Sequence, residues 1–445
     1  MTIDMITENK VFFLHLGCDK NKIDSEMVKK KIVDDNYILT DNPWDADVAV
    51  INTCGFIDIA KEEAIDSILT LSNIRDDDDS KLSKIIVIGC LAERYRDEIL
   101  RNLPEVDAVA GLAYNGDIVR IIRDTLLGKK ITAYGNPLDM PIDGERLLTE
   151  PHHVAYIRIA EGCSNTCTYC AIPSIRGGYR SRSPQAILKE AKTLALSGVK
   201  ELIVVAQDTT SYSSQGMDIS SILKLLAGAE GFWKIRLLYT YPDKITDELL
   251  SVIASEEKIA KYLDIPLQHC SEKVLKRMGR RGSRRKLSEL IDKIRNAVPG
   301  ITIRTTFIVG FPGEEEEDFE ELYNFIEEMR FDRAGFFEFS AEEGTPAARL
   351  DRQIGKKVKS GRMEKIILKQ NEILESLQEI KIGKELEAIC DGYCSESGNY
   401  IFRSEADLPE VDTVINLIGA RKIASGTVRN IHIKDVDGVD LVGTL

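Results

Sequence analysis

Three cysteines lie close together in the run Cys163-Ser-Asn-Thr-Cys167-Thr-Tyr-Cys170. Three thiolates suit three irons of a four-iron cluster and leave the fourth iron open, whereas an electron-transfer cluster fills all four positions with cysteine. An open iron takes a substrate or cofactor. A zinc site instead wants paired Cys-x-x-Cys or histidine ligands, and no such partner lies close in the sequence.

A second trio is spread along the first hundred residues. Val11-Phe-Phe-Leu-His-Leu-Gly-Cys18, Val48-Ala-Val-Ile-Asn-Thr-Cys54 and Ile85-Ile-Val-Ile-Gly-Cys90 are apolar runs that each end in cysteine, with a recurring spacing of 36 residues. Any one of these thiols alone reads as a small buried hydrophobe. Their recurrence at equivalent strand ends reads instead as a ligand set for an auxiliary cluster, again with one iron free. Cys390 and Cys394 have metal-like spacing but no accompanying ligands and read as structural thiols. Cys270, directly after His269, is expected near the cavity without a ligand role, and His15, His152, His153 and His432 gain no role from the sequence.

The tight trio, with Tyr169 before its last cysteine, resembles the cluster motif of the radical S-adenosylmethionine family. The resemblance implies that the open iron is chelated by the amino and carboxylate groups of S-adenosylmethionine. One electron then cleaves the sulfonium to a 5′-deoxyadenosyl radical, so the cofactor carries the hard chemistry. Gly17-Cys18-Asp19-Lys20-Asn21, Asn52-Thr-Cys54-Gly55-Phe56 and Gly89-Cys90-Leu91 are similar to the N-terminal domain of methylthiotransferases, in which the second cluster carries the inserted sulfur. Within that family, Val205-Ala-Gln207-Asp208-Thr-Thr210, Asp264-Ile-Pro266-Leu-Gln268-His269 and Met278-Gly-Arg-Arg-Gly282 look like the ribosomal-protein branch, the RimO type, rather than the tRNA branch. Arg304-Thr-Thr-Phe-Ile-Val-Gly310-Phe-Pro-Gly-Glu314 is similar to the strand that helps bind S-adenosylmethionine. The resemblance therefore implies cluster ligands Cys18, Cys54, Cys90, Cys163, Cys167 and Cys170, and cofactor contacts at Tyr169, Gln207, Asp208 and Arg304. No catalytic acid or base beyond these is read.

The implied reaction is methylthiolation of the β-carbon of an aspartate in small-subunit ribosomal protein twelve, with two 4Fe-4S clusters. S-adenosylmethionine would be both radical source and methyl donor, and an electron donor of the flavodoxin or ferredoxin kind would be needed. A tRNA adenosine is the rival substrate, and a non-catalytic iron-sulfur carrier is a reading of a different class. Charge speaks to the first choice: residues 380–445 carry seven Lys or Arg against eleven Asp or Glu, a net of −4. A domain gripping RNA phosphates is normally basic, while a basic ribosomal protein would be attracted, so RNA contact is disfavoured. Lys276 to Lys286, with Arg277, Arg280, Arg281, Arg284 and Arg285, is a basic run that reads either as a solvated helix start or as a contact to rRNA or substrate.

The elements that must hold these residues are also legible. The continuous apolar runs suit parallel strands covered on both faces, and helical patterns over Asp24–Asp34 and Ala60–Leu71 complete βα units. Parallel neighbours would bring the three strand-end thiols to the C-terminal sheet edge, where α/β proteins bind ligands. The acidic run Asp76–Asp79 reads as a solvated loop. Gly and Pro residues between Leu127 and Pro151 mark a linker.

Strands are expected at Tyr156–Ile159, Leu202–Ala206, Ile235–Tyr239, Tyr262–Ile265, Ile301–Val309 and Gly335–Phe339. Helices between them cover Pro184–Ser197, Ser220–Ala227, Asp247–Ala254, Arg285–Ala297 and Glu316–Glu328, and Lys356–Ile382 is a long closing helix. This spells an open (β/α)6 barrel, since a closed eight-unit barrel needs about 250 residues. Short β runs at Tyr400–Arg403, Thr413–Ile418, Lys422–Val428 and Ile431–Lys434 suggest a small all-β barrel of TRAM type. The expected architecture is thus α/β, with an N-terminal parallel-sheet domain over 8–128, a radical barrel over 149–379 and a TRAM-like domain over 381–445.

Composition agrees with a chain of this kind. At 445 residues it suggests about three domains at roughly 150 residues each. Nine cysteines, an odd number, argue against a disulfide framework. The N-terminal residues show no apolar signal segment and no run reaches the roughly 18 apolar residues of a membrane span, so a cytoplasmic protein without membrane attachment is expected. The net charge of −14 favours a basic partner over a nucleic-acid scaffold.

Overall fold

The computed structural model describes residues 9–419 and 422–445. In the N-terminal domain the apolar runs become β1 (Lys10–His15), β3 (Val48–Thr53) and β4 (Lys84–Gly89), joined by β2 (Ile38–Thr40), β5 (Ala108–Ala110) and β6 (Ile131–Ala133). They form one parallel sheet in the order β2-β1-β3-β4-β5-β6. Every residue of β3 is buried, as expected of a central strand with helices on both faces. The order reverses between β1 and β3, which opens a crevice at their C-terminal ends. Cys18 follows β1 by three residues, and Cys54 and Cys90 follow β3 and β4 directly. The run Asp76–Asp79 is an exposed turn.

Helix α1 (Asp19–Asp34) has two packed faces. Val28 and Ile32 join the apolar cluster of its own sheet, with Val11, Val48 and Val50. Ile23 and Met27 join another cluster with Val154, Ile203, Val205 and Leu238 of the next domain. An amphipathic helix covers one sheet; α1 is buried on both sides because it lies between two.

The second domain is an open, all-parallel sheet in simple sequence order: Val154–Arg158, Glu201–Val205, Lys234–Leu237, Ile259–Gln268, Thr302–Val309 and Arg333–Glu338. The first and last strands do not pair, so the barrel stays open, as the six βα units imply. The helices fall within a residue or two of expectation, including Pro184–Leu196 and Arg284–Ala297, and the closing helix ends at Glu379.

The C-terminal domain is a closed five-stranded barrel. Two of its strands escaped sequence reading, Glu385–Cys394 and Asp440–Thr444, because a bulge at Gly392 and a run of Gly and acidic residues mask their alternation. The expected strand over Lys422–Val428 is not one: Ile423 to Thr427 form a loop turning at Ser425 and Gly426, and Val428 opens the long strand Val428–Asp437. Gly426, at φ +80°, accommodates that turn, which β-branched neighbours disguised.

This barrel docks on the end of the radical barrel opposite the cysteine loop. Glu201, Lys234 and Arg333 are each the first residue of a barrel strand, and they meet Arg403, Glu405 and Asp407 at 2.8, 3.0 and 2.6 Å. From there Leu408 enters the same apolar cluster as Ile23 and Ile203, and Tyr262 donates to Asp412 at 2.7 Å. No described helix is long and apolar enough to cross a membrane.

Candidate functional site

The cysteine loop leaves the first barrel strand and is pinned by backbone bonds. Cys163 donates to the Gly177 carbonyl at 3.1 Å, and Thr168 donates to the Met278 carbonyl at 2.9 Å while its hydroxyl donates to the Arg277 carbonyl. The Met278–Gly282 turn therefore supports the loop from below. Gly279, at φ +71°, is required there, since a Cβ would sit 2.5 Å from the Thr166 carbonyl oxygen.

That support brings in a residue that sequence reading left in a basic run. Arg280 is only 8% exposed and reaches Cys167 Sγ at 3.7 Å and the Tyr169 hydroxyl at 3.5 Å, while donating to the Pro266 carbonyl at 2.7 Å. Its guanidinium stacks over Tyr241, 4.3 Å from the ring centre. Among the described residues, no carboxylate pairs with it. The signal in the sequence was the Gly279-Arg280 pair, which marks a turn pressed against something rather than a solvated helix start. Arg281, Arg284 and Arg285, by contrast, stay partly or fully exposed.

Tyr169 packs edge-on against Phe311 at 6.5 Å, and Phe311 against Phe339 at 5.0 Å, so an aromatic wall backs the loop. Asp208 accepts from Asn165 at 2.8 Å, Lys244 at 2.6 Å, Ser211 at 2.7 Å and Thr210 at 2.6 Å. Burial works to raise its carboxyl, but these donors outweigh it and hold it below the usual range. Gln207 donates to Glu161 at 2.6 Å, and its Oε1 is buried without a partner. Arg304 lies in the first half of its strand and pairs with Asp264 at 3.2 Å and Asp412 at 3.6 Å. Its partners are thus inside the barrel, toward the C-terminal domain, and not at the cysteine loop.

The N-terminal trio gathers as the sheet order requires. Gly55, after Cys54, abuts the backbone after Cys90: a Cβ there would lie 2.7 Å from Leu91 Cα. Cys18 is exposed, Cys54 intermediate and Cys90 buried. Buried oxygens without partners surround them, on Asp19, Asn21 and Asn52. Burial pushes the Cys90 and Cys170 thiols up to about 12 and raises Cys54 and Cys163 as well. Such thiols become thiolates when a cationic centre takes the proton's place. Among the described residues no group of His, Cys, Asp or Glu closes on a point as a single metal ion requires. Three thiols without a histidine or a fourth cysteine suit a polynuclear cluster better than a lone zinc.

The domain interface brings Cys90 of the first trio beside the segment that follows the second. Cys90 packs in one small apolar cluster with Ala171, the residue after Cys170, and with Ile175. Behind it lies a buried ionic network: Arg158 pairs with Asp24 at 2.5 Å and Glu161 at 2.7 Å, and Arg176 with both at 2.9 Å. On the other side Lys20 sits 3.1 Å over the Tyr239 ring, whose hydroxyl donates to Asp19 at 3.2 Å. Tyr239 carries φ +57°, strain for a non-glycine residue beside the candidate site.

Part of the acidic excess of the C-terminal domain is spent on contacts with the radical barrel. Glu387 accepts from Trp233 at 2.8 Å, Asp391 meets His153 at 2.8 Å, and Glu405, Asp407 and Asp412 make the barrel contacts described above. Net charge therefore overstates what this domain offers a partner. Of the remaining cysteines, Cys270 and Cys390 are buried and Cys394 lies on a barrel strand.

Comparison with known proteins covers each part of the chain. Residues 157–326 match the profile of the Radical SAM superfamily, residues 10–111 that of "Uncharacterized protein family UPF0004", and residues 382–445 the TRAM domain. A ribosomal protein uS12 methylthiotransferase RimO from Caldanaerobacter subterraneus subsp. tengcongensis is 44% identical over 440 residues, spanning 97% of this chain and 99% of the relative. The protein of that name from Acetivibrio thermocellus is 41% identical, covering 98% of both chains. Among solved structures, the radical S-adenosylmethionine methyltransferase TsrM of Kitasatospora setae superposes with a TM-score of 0.58 at 12% identity, covering 76% of this chain and 77% of that one. The cobalamin-dependent radical enzyme OxsB gives 0.52 at 15% identity, covering 81% and 56%. Those two likenesses concern the fold.

Proposed function

The chain belongs to the RimO family of radical S-adenosylmethionine methylthiotransferases, and from that premise we propose that it methylthiolates the β-carbon of an aspartate in small-subunit ribosomal protein uS12. The observation that carries the reading is the packing of Cys90, directly after β4, with Ala171, the residue after Cys170, at the domain interface. Cys163, Cys167 and Cys170 would hold one 4Fe-4S cluster, and Cys18, Cys54 and Cys90 a second. When bound, these clusters and S-adenosylmethionine supply the radical source, the sulfur and the methyl group, with electrons from a donor of the flavodoxin or ferredoxin kind.

The chain's own groups do the positioning. Arg280 holds the Cys167 side of the loop, and the Tyr169, Phe311 and Phe339 wall keeps water from it. Gln207 offers its free Oε1 to a donor such as the cofactor's ammonium or hydroxyl groups. Asp208, saturated by four donors, fixes Asn165 and Lys244 beside the loop. Arg304 acts at one remove: its partner Asp264 accepts from the Tyr239 amide at 3.0 Å, and Tyr239 reaches Asp19 beside Cys18. No residue needs to act as a base, because a β C–H bond is too weak an acid for any side chain to deprotonate. The exposed Cys18 marks the side of the interface open to a macromolecular substrate.

The deciding experiment is an anaerobic reaction of reconstituted protein with uS12 and with unmodified tRNA in competition, followed by mass analysis of digests. A methylthio addition on a uS12 aspartate is expected. Addition on tRNA adenosine alone would overturn the substrate, and addition on neither, with intact S-adenosylmethionine, would overturn the reaction.

A further inference from the structure

Arg176 ends the short helix that follows the cysteine loop, six residues after Cys170, and belongs to the radical barrel. Its side chain nevertheless leaves that domain. One amino group of the guanidinium pairs with Asp24 of α1 at 2.9 Å and donates to Cys90 Sγ at 3.4 Å; the other pairs with Glu161 at 2.9 Å. The residue is 1% exposed. Its charge is felt by Cys90 most directly and by Cys54 and Cys18 as well.

A buried arginine is costly unless each of its donors is used. Here the donors reach two carboxylates and one sulfur. The contrast with Arg280 is informative. Arg280 has no carboxylate partner among the described residues and acts on its trio with a full charge. Arg176 is half of a network in which Arg158 and Arg176 are balanced by Asp24 and Glu161. What it gives Cys90 is positive charge together with a directed hydrogen bond, and Asp24 sets how much of that charge is left over. Hydrogen bonds and positive charge at cluster sulfurs raise a cluster's reduction potential.

We propose that Arg176 is a positioning residue for the cluster held by Cys18, Cys54 and Cys90: supplied by the neighbouring domain, it donates to the Cys90 sulfur and raises that cluster's reduction potential, with Asp24 restraining the effect. This rests on the two-cluster reading given above. The chain Gln207, Glu161, Arg176, Cys90 then links the cofactor side of the barrel to the second cluster through hydrogen bonds of 2.6, 2.9 and 3.4 Å.

The test is a potentiometric titration of the reconstituted full chain, followed by electron paramagnetic resonance. A variant lacking Cys163, Cys167 and Cys170 identifies the signal of the N-terminal cluster. R176Q should shift that midpoint downward and leave the barrel cluster's midpoint in place. D24N, which keeps the arginine and removes a competing carboxylate, should shift it upward, and this variant still reads the effect if R176Q fails to fold. Opposite shifts are not what a general loosening of the interface would produce. Unchanged midpoints in either variant with both clusters present would overturn the role of Arg176. A wild-type chain with about four irons instead of about eight would remove the second cluster, and with it this role.

Discussion

At the scale of single residues, the cysteines announced themselves and the arginines did not. Cysteine spacing is a one-dimensional signal, whereas Arg280 and Arg176 matter because of what folds against them. The basic run around Arg280 reads as surface until Gly279 is seen to press on the cysteine loop. Hydrogen bonds to charged groups contribute about 1.5–3 kcal/mol, which corresponds to about ten- to hundredfold in rate. R280M is accordingly expected to slow 5′-deoxyadenosine formation by at least about tenfold while iron content stays near that of the wild type, as measured by chromatography and iron assay. Arg304 shows the opposite case: its motif was legible, but its partners, Asp264 and Asp412, belong to the barrel interior.

His269 gives a pH prediction. It accepts from the Ser271 amide through Nδ1, so the proton sits on Nε2, which has no hydrogen-bond partner among the described residues and lies 3.9 Å from the Glu314 carboxylate. Burial lowers its pKa to about 3. The unfolded chain takes up this proton near pH 6.5 and the folded chain does not, so the stability this group contributes is present above about 6.5 and lost as pH falls toward 3. H269Q should flatten that part of the acid limb, read by denaturant titration at pH 7 and pH 5; an unchanged slope would show that the ring protonates in the folded state.

At the scale of elements, long periodic segments were legible and short or irregular ones were not. The parallel strands and the long helices follow directly from hydrophobic period. The C-terminal strands failed where a bulge or a glycine turn broke the alternation, at Gly392 and Gly426. Sequence also gave no hint that the segment Glu405–Asp412 would leave its own barrel and enter another. Leu408, 4% exposed, fills the radical barrel's core against Ile23 and Tyr262. Truncating a buried leucine to alanine costs about 2–5 kcal/mol. L408A should lower the free energy of unfolding by an amount in that range, measured by denaturant titration. A change confined to the isolated C-terminal domain would contradict the packing.

At the scale of the whole molecule, the domains were legible one by one, but their mutual arrangement was not. Burial on both faces of α1 and the inward use of the C-terminal acids are properties of the assembled chain. The sequence's charge sum pointed outward to a partner, whereas Asp407 and Glu405 point to Arg333 and Lys234. Removing residues 382–445 would leave Arg333 and Glu201 without Asp407 and Arg403, and breaking buried pairs costs about 3–5 kcal/mol. Such a truncation should unfold at a markedly lower temperature in calorimetry. If it folds at all, it should still load iron at the cysteine trios, which lie at the opposite end of the barrel. Loss of iron from a folded truncation would contradict that separation.

The placement of Arg176 also has a consequence for how the protein is made. Synthesis runs from the N-terminus, so β1, β3 and β4, with all three of their cysteines, emerge well before the arginine that completes their surroundings. Until then the Cys90 sulfur lacks its donor and Asp24 lacks one of its two arginines. The first cysteines to leave the ribosome therefore wait for a residue of the next domain, and their surroundings are completed by the interface rather than by the domain that carries them.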